Sequence, residues 1–207
     1  MRRAGFTLVE LMIATTVFSL LSVAIYASIS ATVEATGTAT AESDVQQSLR
    51  DVMRDMTSEL QLAAAANDPT LPNPLLGLQV NDVGGVPSSV TFQTPTDSTG
   101  INWTQPITYT FFNEDADGDA RLDAGEDTDG DGALSRRIMR TQDINGDGDT
   151  GDPSEVRQIA AANDISGVQF VFDGAALQVT IAASKQPNHN RNQAITATLT
   201  GNVFLMN

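Results

Sequence analysis

A stretch of acidic residues in the middle of the chain has the spacing of a metal-binding loop. From Asp115 to Glu126, carboxylates occupy positions 1, 3, 5, 9 and 12 of a twelve-residue segment, and position 7 offers the main-chain carbonyl of Arg121. These are the ligand positions of an EF-hand loop, in which alternate residues direct oxygen atoms at one calcium ion. Ala120 replaces the glycine usual at position 6, so we expect a turn that differs from an EF-hand. The ligands predicted in this first copy are Asp115, Asp117, Asp119, Arg121, Asp123 and Glu126.

Two further copies of the pattern follow. The second has glycine at its position 6, Gly132, but carries Ile138 where the last carboxylate is expected. The third has no helical pattern on either side and could take a further carboxylate from Asp152 or Glu155. The ligands predicted in these two copies are Asp127, Asp129, Asp131, Asp143, Asn145, Asp147, Asp149 and Asp152.

The negative charge of the chain is concentrated around these copies. Residues 113–155 contain fourteen acidic residues and four arginines, a local net charge of −10, whereas the whole chain has a net charge of −15. A solvated acidic loop without metal is one interpretation of such a segment. We favour calcium because the carboxylates alternate with glycine and other small residues at ligand spacing, and because their mutual repulsion would otherwise destabilise a folded loop. Magnesium fits less well, since it takes fewer protein ligands in a stricter octahedral geometry.

The overall composition excludes several other partners and activities. A net charge of −15 repels nucleic acid and anionic membrane surfaces, so neither is an expected partner. The chain has no cysteine, which excludes disulfides and thiolate metal sites. The sequence also lacks the arrangement of nucleophile, base and acid that is typical of a catalytic site, and we therefore expect no enzyme and no catalytic residue.

The N-terminal segment has the length and composition of a membrane-spanning helix. Residues 6–29 form a nearly continuous apolar run, interrupted by Glu10 and by serine and threonine. As a helix this run would extend about 36 Å at about 1.5 Å per residue, enough to cross a hydrocarbon core of about 30 Å. Arg2 and Arg3 precede it and no basic residue follows until Arg50. The positive-inside rule therefore places the N-terminus in the cytoplasm and the rest of the chain outside it.

Two other interpretations explain part of this segment. A secretory signal peptide also begins with basic residues, and Ser22-Val23-Ala24 would serve as a cleavage site, but its apolar stretch is usually only about 7 to 15 residues long. A plain membrane anchor accounts for the length but not for Glu10, because a charge inside the membrane costs about 2.5 to 3.5 kcal/mol on insertion scales. Glu10 therefore needs a partner.

The residues around Glu10 carry a family resemblance. The run from Gly5 to Ala14, read GFTLVELMIA, resembles the class III signal of type IV pilins and type II secretion pseudopilins. The resemblance implies that a prepilin peptidase cleaves after Gly5, that the new N-terminal amine of Phe6 is methylated, and that Glu10 attracts the N-terminal amine of a neighbouring subunit. It also implies assembly with other pilin or pseudopilin subunits after residence in the inner membrane. Gly5 suits a scissile position because, without a side chain, it lets a protease approach the backbone closely.

The helical pattern continues beyond the apolar run. We predict a leader at residues 1–5, a membrane-spanning and filament-core helix at 6–29, and an amphipathic continuation of the same helix at 30–66. In the continuation, apolar residues recur at spacings of three and four, as expected for a helix that packs on a core through one face. The residues of this stripe are Val45, Leu49, Val52, Met53, Met56 and Leu60.

The remainder of the chain, 67–207, is predicted to form a globular β-sheet domain with the acidic loop 113–155 inserted into it. Five segments rich in β-branched and aromatic residues are predicted as strands. A helix followed by strands indicates an α+β fold, in which an antiparallel sheet packs against the helix. The predicted strands are 90–94, 107–112, 168–172, 177–181 and 195–205.

Two functions from different classes follow from these features. The first is a minor pilin or pseudopilin, similar in layout to the larger minor pilins and the J-class type II pseudopilin, that initiates, caps or joins a filament and is stabilised by calcium. The alternative is a calcium-dependent surface adhesion or recognition module that a pilin-type helix displays. In either case we expect a single-pass inner-membrane precursor with a cytoplasmic N-terminus, later located in a periplasmic pseudopilus or an extracellular pilus.

Overall fold

A single long helix, α1 (Leu8–Leu60), opens the part of the chain that the computed structural model describes. Its N-cap, Thr7, accepts a hydrogen bond from the backbone N–H of Glu10, and the Glu10 carboxylate accepts one from the backbone N–H of Thr7 at 2.9 Å. This reciprocal capping box satisfies two backbone donors at the start of the helix. The helix is roughly 80 Å long at about 1.5 Å per residue. The structure describes residues 7–66, 68, 70, 76–83, 86–115, 121–128, 130, 132, 134–159, 165–185 and 194–205.

The two halves of α1 have different surroundings. Up to residue 36 every described residue of the helix is exposed, including large apolar side chains such as Phe18 and Tyr26, which are 72% and 74% exposed. Several hydroxyl side chains in this half donate to carbonyls of the preceding turn, as Thr16 does to Met12 at 2.9 Å, so the helix itself satisfies these hydroxyls in an apolar environment. In the second half the predicted apolar stripe is confirmed, because all six of its residues are buried.

The helix ends at Leu60 and not at residue 66 as predicted. The next N–H groups bond to carbonyls three residues back, Leu62 to Glu59 at 3.1 Å and Ala63 to Leu60 at 3.0 Å, which tightens the chain into a turn. Ala63 and Ala64 are buried, and the Ala64 carbonyl accepts the N–H of Leu78 at 3.1 Å. The turn brings these small residues onto the core, which a straight helix would not do.

The strands form two antiparallel sheets, so the α+β class is confirmed, although we predicted one sheet. The first is a five-stranded meander, β1 to β5 in chain order, and the second is a three-stranded meander, β6 to β8. All five predicted strands are present with somewhat different ends. The strands are β1 Gln79–Val83, β2 Val86–Phe92, β3 Ile107–Asn113, β4 Arg136–Gln142, β5 Val156–Gln158, β6 Ile165–Phe172, β7 Ala176–Lys185 and β8 Ile195–Phe204.

Helix α1 packs on the second sheet, mainly on β7 and β8. Gly201 of β8 permits this close approach, because a Cβ atom there would lie 3.1 Å from the sulfur of Met53. Strand β2 of the first sheet packs near β6 of the second, so both sheets contribute to one hydrophobic core. Large core residues that are fully buried are Met56, Leu60, Phe92, Ile107, Tyr109, Ile138, Ile165, Phe170, Leu177 and Ile181.

The acidic segment 113–155 is not one loop, and this corrects the sequence analysis. Strand β4 lies in its middle and pairs with β3 along seven residues, from Asn113 opposite Arg136 to Ile107 opposite Gln142. Ile138, which occupies the last ligand position of the second copy, is a fully buried residue of β4. The first two copies therefore lie at one end of β4 and the third at the other end.

An ionic cluster ties α1 to the first sheet. Glu59, in the last turn of the helix, accepts hydrogen bonds from Arg140 of β4, with Nη2 at 2.8 Å and Nε at 3.1 Å, and from the hydroxyl of Tyr109 of β3. Burial alone would raise the pKa of the Glu59 carboxyl, but the hydrogen bonds and charge of Arg140 and the Tyr109 hydroxyl outweigh it, so this pKa lies below its ordinary value. Burial and the bond to Glu59 raise the pKa of Tyr109.

We predict that Glu59→Gln destabilises the folded domain by about 1 to 2 kcal/mol at pH 7, because it weakens hydrogen bonds between charged groups that are only partly shielded from water. Since the pKa of Glu59 is lowered on folding, its contribution is present above the ordinary value of 4.5 and is lost as the pH falls through the lower folded value. Urea unfolding of residues 31–207, a fragment that keeps every buried residue of α1, would measure this difference from pH 7 down to pH 3. The control is Asp51→Asn, whose partner Arg54 is 78% exposed, and it should change stability little. The prediction would be contradicted if the two substitutions changed stability equally. It would also be contradicted if the stability difference between Glu59→Gln and the wild type persisted in acid.

Candidate assembly helix and acidic loops

Glu10 lies on the first turn of α1, among exposed apolar side chains. Its carboxylate accepts hydrogen bonds from the backbone N–H and the hydroxyl of Thr7, at 2.9 and 3.0 Å, and it sits at the positive end of the helix dipole. These interactions partly stabilise the charge, but they come from its own turn and leave the side chain accessible to another molecule. Gly5 and Phe6, the predicted sites of cleavage and methylation, lie outside the described residues.

The exposed half of α1 is long and apolar enough to cross a membrane. An 18-residue window of the helix has a mean hydropathy of 2.1, and none of that window is buried within the protein. Core helices of soluble proteins reach similar hydropathy, but they are covered by the rest of their chain, and this segment is not. It therefore fits membrane anchoring before assembly.

The connection between β3 and β4, residues 114–135, contains the first two copies of the acidic pattern. Asp115 is buried and forms an ion pair with Arg136 at 3.7 Å, and Glu126 accepts the backbone N–H of Asp123 at 2.9 Å. Asp123 and Arg121 are exposed. The predicted ligands Asp117, Asp119, Asp129 and Asp131 lie outside the described residues.

Asp127 and Asp143, the first residues of the second and third copies, make the same local hydrogen bonds. Each carboxylate accepts the backbone N–H groups at positions 4 and 6 of its copy, from Gly130 and Gly132 at 2.6 and 3.1 Å, and from Gly146 and Gly148 at 2.6 and 3.1 Å. All four glycines have positive φ, a backbone conformation that residues other than glycine rarely adopt. The repeat seen in the sequence is therefore also a repeat of backbone conformation.

A buried glutamate anchors each of these two copies, and Glu114 was missed by the sequence analysis. The Glu114 carboxylate accepts the N–H of Thr128 at position 2 of the second copy, and Glu155 accepts the N–H of Ile144 at position 2 of the third, at 2.9 and 2.8 Å. Both glutamates directly adjoin a strand, Glu114 after β3 and Glu155 before β5. Adjacency to a strand is a weak signal in the sequence, because Asp143 also directly follows a strand, β4.

In the third copy, three carboxylates come together. A carboxylate oxygen of Asp143, one of Asp147 and one of Glu155 lie within 4.8 Å of one another. The other predicted ligands are engaged nearby: the Asn145 amide donates to Asp147 and Asp152 at 3.0 and 2.9 Å, and Asp149 accepts the N–H of Gly151. Hydrogen bonds from the backbone N–H of Asp149 and from Asn145 lower the pKa of Asp147.

Comparison with known proteins bears on the N-terminal helix. Residues 1–26 match the family model of the prokaryotic N-terminal methylation motif. No curated protein and no solved structure matches the chain. The motif supports a type IV pilin-like prepilin, and such a motif generally implies processing by prepilin peptidase and assembly with other pilin subunits. It covers the segment that carries Gly5, Phe6 and Glu10 and does not extend to the acidic loops.

Proposed function

We propose that the chain is a minor pilin or a type II secretion pseudopilin, a structural subunit that initiates, caps or joins a filament. The observation that carries this proposal is the first half of α1, whose side chains are mostly apolar and are exposed over residues 7–36. Such a surface is unfavourable in water at about 25 cal/mol per Å² and needs lipid or other subunits to cover it. A methylation motif on the same residues favours burial of this surface first in the membrane and then in the filament.

The same helix determines where the subunit is located before and after cleavage in this proposal. The precursor resides in the inner membrane as a single-pass protein with its N-terminus in the cytoplasm, as Arg2 and Arg3 favour. After cleavage the subunit leaves the bilayer for a periplasmic pseudopilus or an extracellular pilus. The second half of α1, fixed on β7 and β8, then holds the globular domain at the filament surface.

The first prediction of this proposal concerns processing. The mature protein should have the mass of a chain that begins at Phe6 with one added methyl group, and replacement of Gly5 by leucine should leave the full-length precursor in the membrane. Mass spectrometry of the N-terminal peptide measures both. Cleavage after Ala24 would indicate a secretory signal peptide, and normal processing of the Gly5→Leu variant would contradict the role of Gly5.

The second prediction separates the charge of Glu10 from its function as a helix cap. Glutamine can keep the capping box, because its side-chain oxygen still accepts the N–H of Thr7, but it carries no charge to attract the amine of a neighbouring subunit. We expect Glu10→Gln to reach the membrane in normal amounts and to enter filaments several-fold less well than the wild type. Competition between tagged variants would measure incorporation, with Glu34→Gln further along the helix as the control. Equal incorporation of Glu10→Gln and wild type would contradict the pairing.

Calcium is the second element of the proposal. The connections at both ends of β4 concentrate carboxylates at ligand spacing, and ions bound there would remove the repulsion that opposes their closed conformations. In the absence of disulfides, such ions would hold strands β3, β4 and β5 together at their ends. Binding to the folded form alone adds about 2.7 kcal/mol of stability when calcium is a hundredfold above its dissociation constant.

The corresponding prediction is that millimolar calcium raises the thermal midpoint of residues 31–207 relative to excess chelator, and that magnesium raises it less. Asp119→Asn and Glu126→Gln should reduce the calcium-induced increase, whereas Asp97→Asn, outside the acidic segment, should not. Asp115 is a poorer choice because it pairs with Arg136, and its replacement would lower stability without calcium as well. Equal midpoints in chelator, calcium and magnesium would show that the segment is only a solvated acidic region.

A further inference from the structure

Within the described residues, hydrogen bonds satisfy only one of the two carboxylate oxygens of Glu155. The residue is 1% exposed, and its Oε1 atom accepts the backbone N–H groups of Ile144 and Asn145, at 2.8 and 3.1 Å. Its other oxygen, Oε2, is fully buried and accepts no hydrogen bond within the part of the chain that the structure describes. An unpaired carboxylate oxygen in the interior is costly, because it has lost its hydration without gaining a partner.

The equivalent glutamate at the other end of β4 shows what a satisfied arrangement looks like. Oε1 of Glu114 accepts the N–H and the hydroxyl of Thr128, both at 2.9 Å, and its Oε2 accepts the N–H of Ser135 at 2.9 Å. Both carboxylate oxygens of Glu114 are therefore occupied by protein donors, whereas Glu155 has one oxygen left over. The difference indicates that Glu155 has a further partner outside the protein groups that the structure describes.

The charge around Glu155 defines the chemistry of that partner. Carboxylate oxygens of Asp143, Asp147 and Glu155 lie within 4.8 Å of one another, so three negative charges converge on one small region. This convergence of negative charge favours a cation as the partner, and oxygen ligands of this kind select a hard divalent ion. We propose that the β4–β5 connection binds one calcium ion through Asp143, Asp147 and Glu155, with Glu155 as its buried ligand. The inference deepens the calcium element of the proposed function and rests on it, but it is independent of the filament role.

The proposal differs from the ligand set that the sequence spacing predicts. An EF-hand that starts at Asp143 would place its last carboxylate at residue 154, which is a serine, and the buried carboxylate comes one residue later. Three protein carboxylates are fewer than the six to eight oxygens that calcium prefers, so water and main-chain carbonyls would complete the shell. We therefore expect a calcium affinity similar to that of extracellular calcium-binding modules, with a dissociation constant on the order of 10⁻⁴ to 10⁻³ M.

The ion would act on the sheet through Glu155. The carbonyl of this residue accepts the N–H of Gln142, the last residue of β4, at 3.1 Å, and Val156, the first residue of β5, follows it directly. Strand β5 is only three residues long and lies at the edge of the five-stranded sheet. A calcium ion that neutralises Glu155 would thus stabilise the attachment of this short edge strand to β4.

The test compares Glu155→Gln with Glu114→Gln in the full-length protein in detergent micelles. Equilibrium dialysis would count the calcium ions bound per chain, and thermal unfolding would give the midpoint in chelator and in millimolar calcium. Glutamine at 155 keeps the oxygen that accepts from Ile144 and Asn145 but removes the buried charge. We expect this variant to bind calcium at the β4–β5 connection at least tenfold more weakly, yet to have a midpoint in chelator equal to or above that of the wild type.

Glu114→Gln should give the opposite pattern, because its amide group would face a protein donor. Its midpoint should fall in both conditions, while calcium binding at the β4–β5 connection persists. Asp147→Asn, at an exposed position, removes a second ligand with little risk to folding and should also weaken binding at least tenfold.

The results that would contradict the Glu155 site differ from those that would contradict calcium binding in general. If both Glu155→Gln and Asp147→Asn bind as many ions as the wild type and as tightly, the site is wrong, although calcium in the β3–β4 connection still stands. If Glu155→Gln lowers the midpoint equally in chelator and in calcium, Glu155 is only structural and the inference also fails. If the wild type binds no calcium, the whole calcium element fails, and the filament role is still judged by the Gly5 and Glu10 experiments.

Discussion

The structure depends on a single helix that has two different surroundings. From Ala41 onward one face of α1 is buried on the second sheet, and this stripe supplies a large part of the hydrophobic core. Over residues 7–36 the same helix is exposed and is not covered by the described part of the chain, although its side chains are mostly apolar. Because burial of apolar surface is the main favourable term in both folding and association, the first half requires an external partner as strongly as the second half requires the sheets. The globular domain folds around one end of the helix and leaves the other end exposed.

Two polar attachments orient the globular domain on this helix. Lys185 of β7 pairs with Asp44 at 3.1 Å on one side, and Glu59 binds Arg140 and Tyr109 on the other. The hydrophobic stripe alone would allow the helix to slide or rotate on the sheet, whereas charged pairs with fixed geometry favour one register. Glu59 also connects α1 to the first sheet, whereas the main packing of the helix is against the second.

The acidic connections show one structural device used at both ends of β4. In each, an aspartate at the first position accepts two glycine N–H groups, and a buried glutamate next to a strand accepts the N–H of the second position. This arrangement closes the turn with hydrogen bonds to carboxylates and leaves other acidic groups close together. The unpaired oxygen of Glu155 distinguishes the connection after β4 from the one before it.

The sequence determined the features that depend on local spacing. The N-terminal methylation motif, the apolar run, the stripe from Val45 to Leu60 and the five apolar strands can all be recognised from neighbouring residues. For the helix and the strands this is so because their periodicity expresses burial directly. Strand β4 was not predicted because three of its seven residues are arginines. Only its pairing with β3 identifies it as a strand. Tertiary structure alone decided that Glu59 meets Arg140, 81 positions away, and that Glu155 is buried while Asp152 is exposed. Both facts arise from contacts between distant segments, and the burial of a charge depends on those contacts and not on residue type.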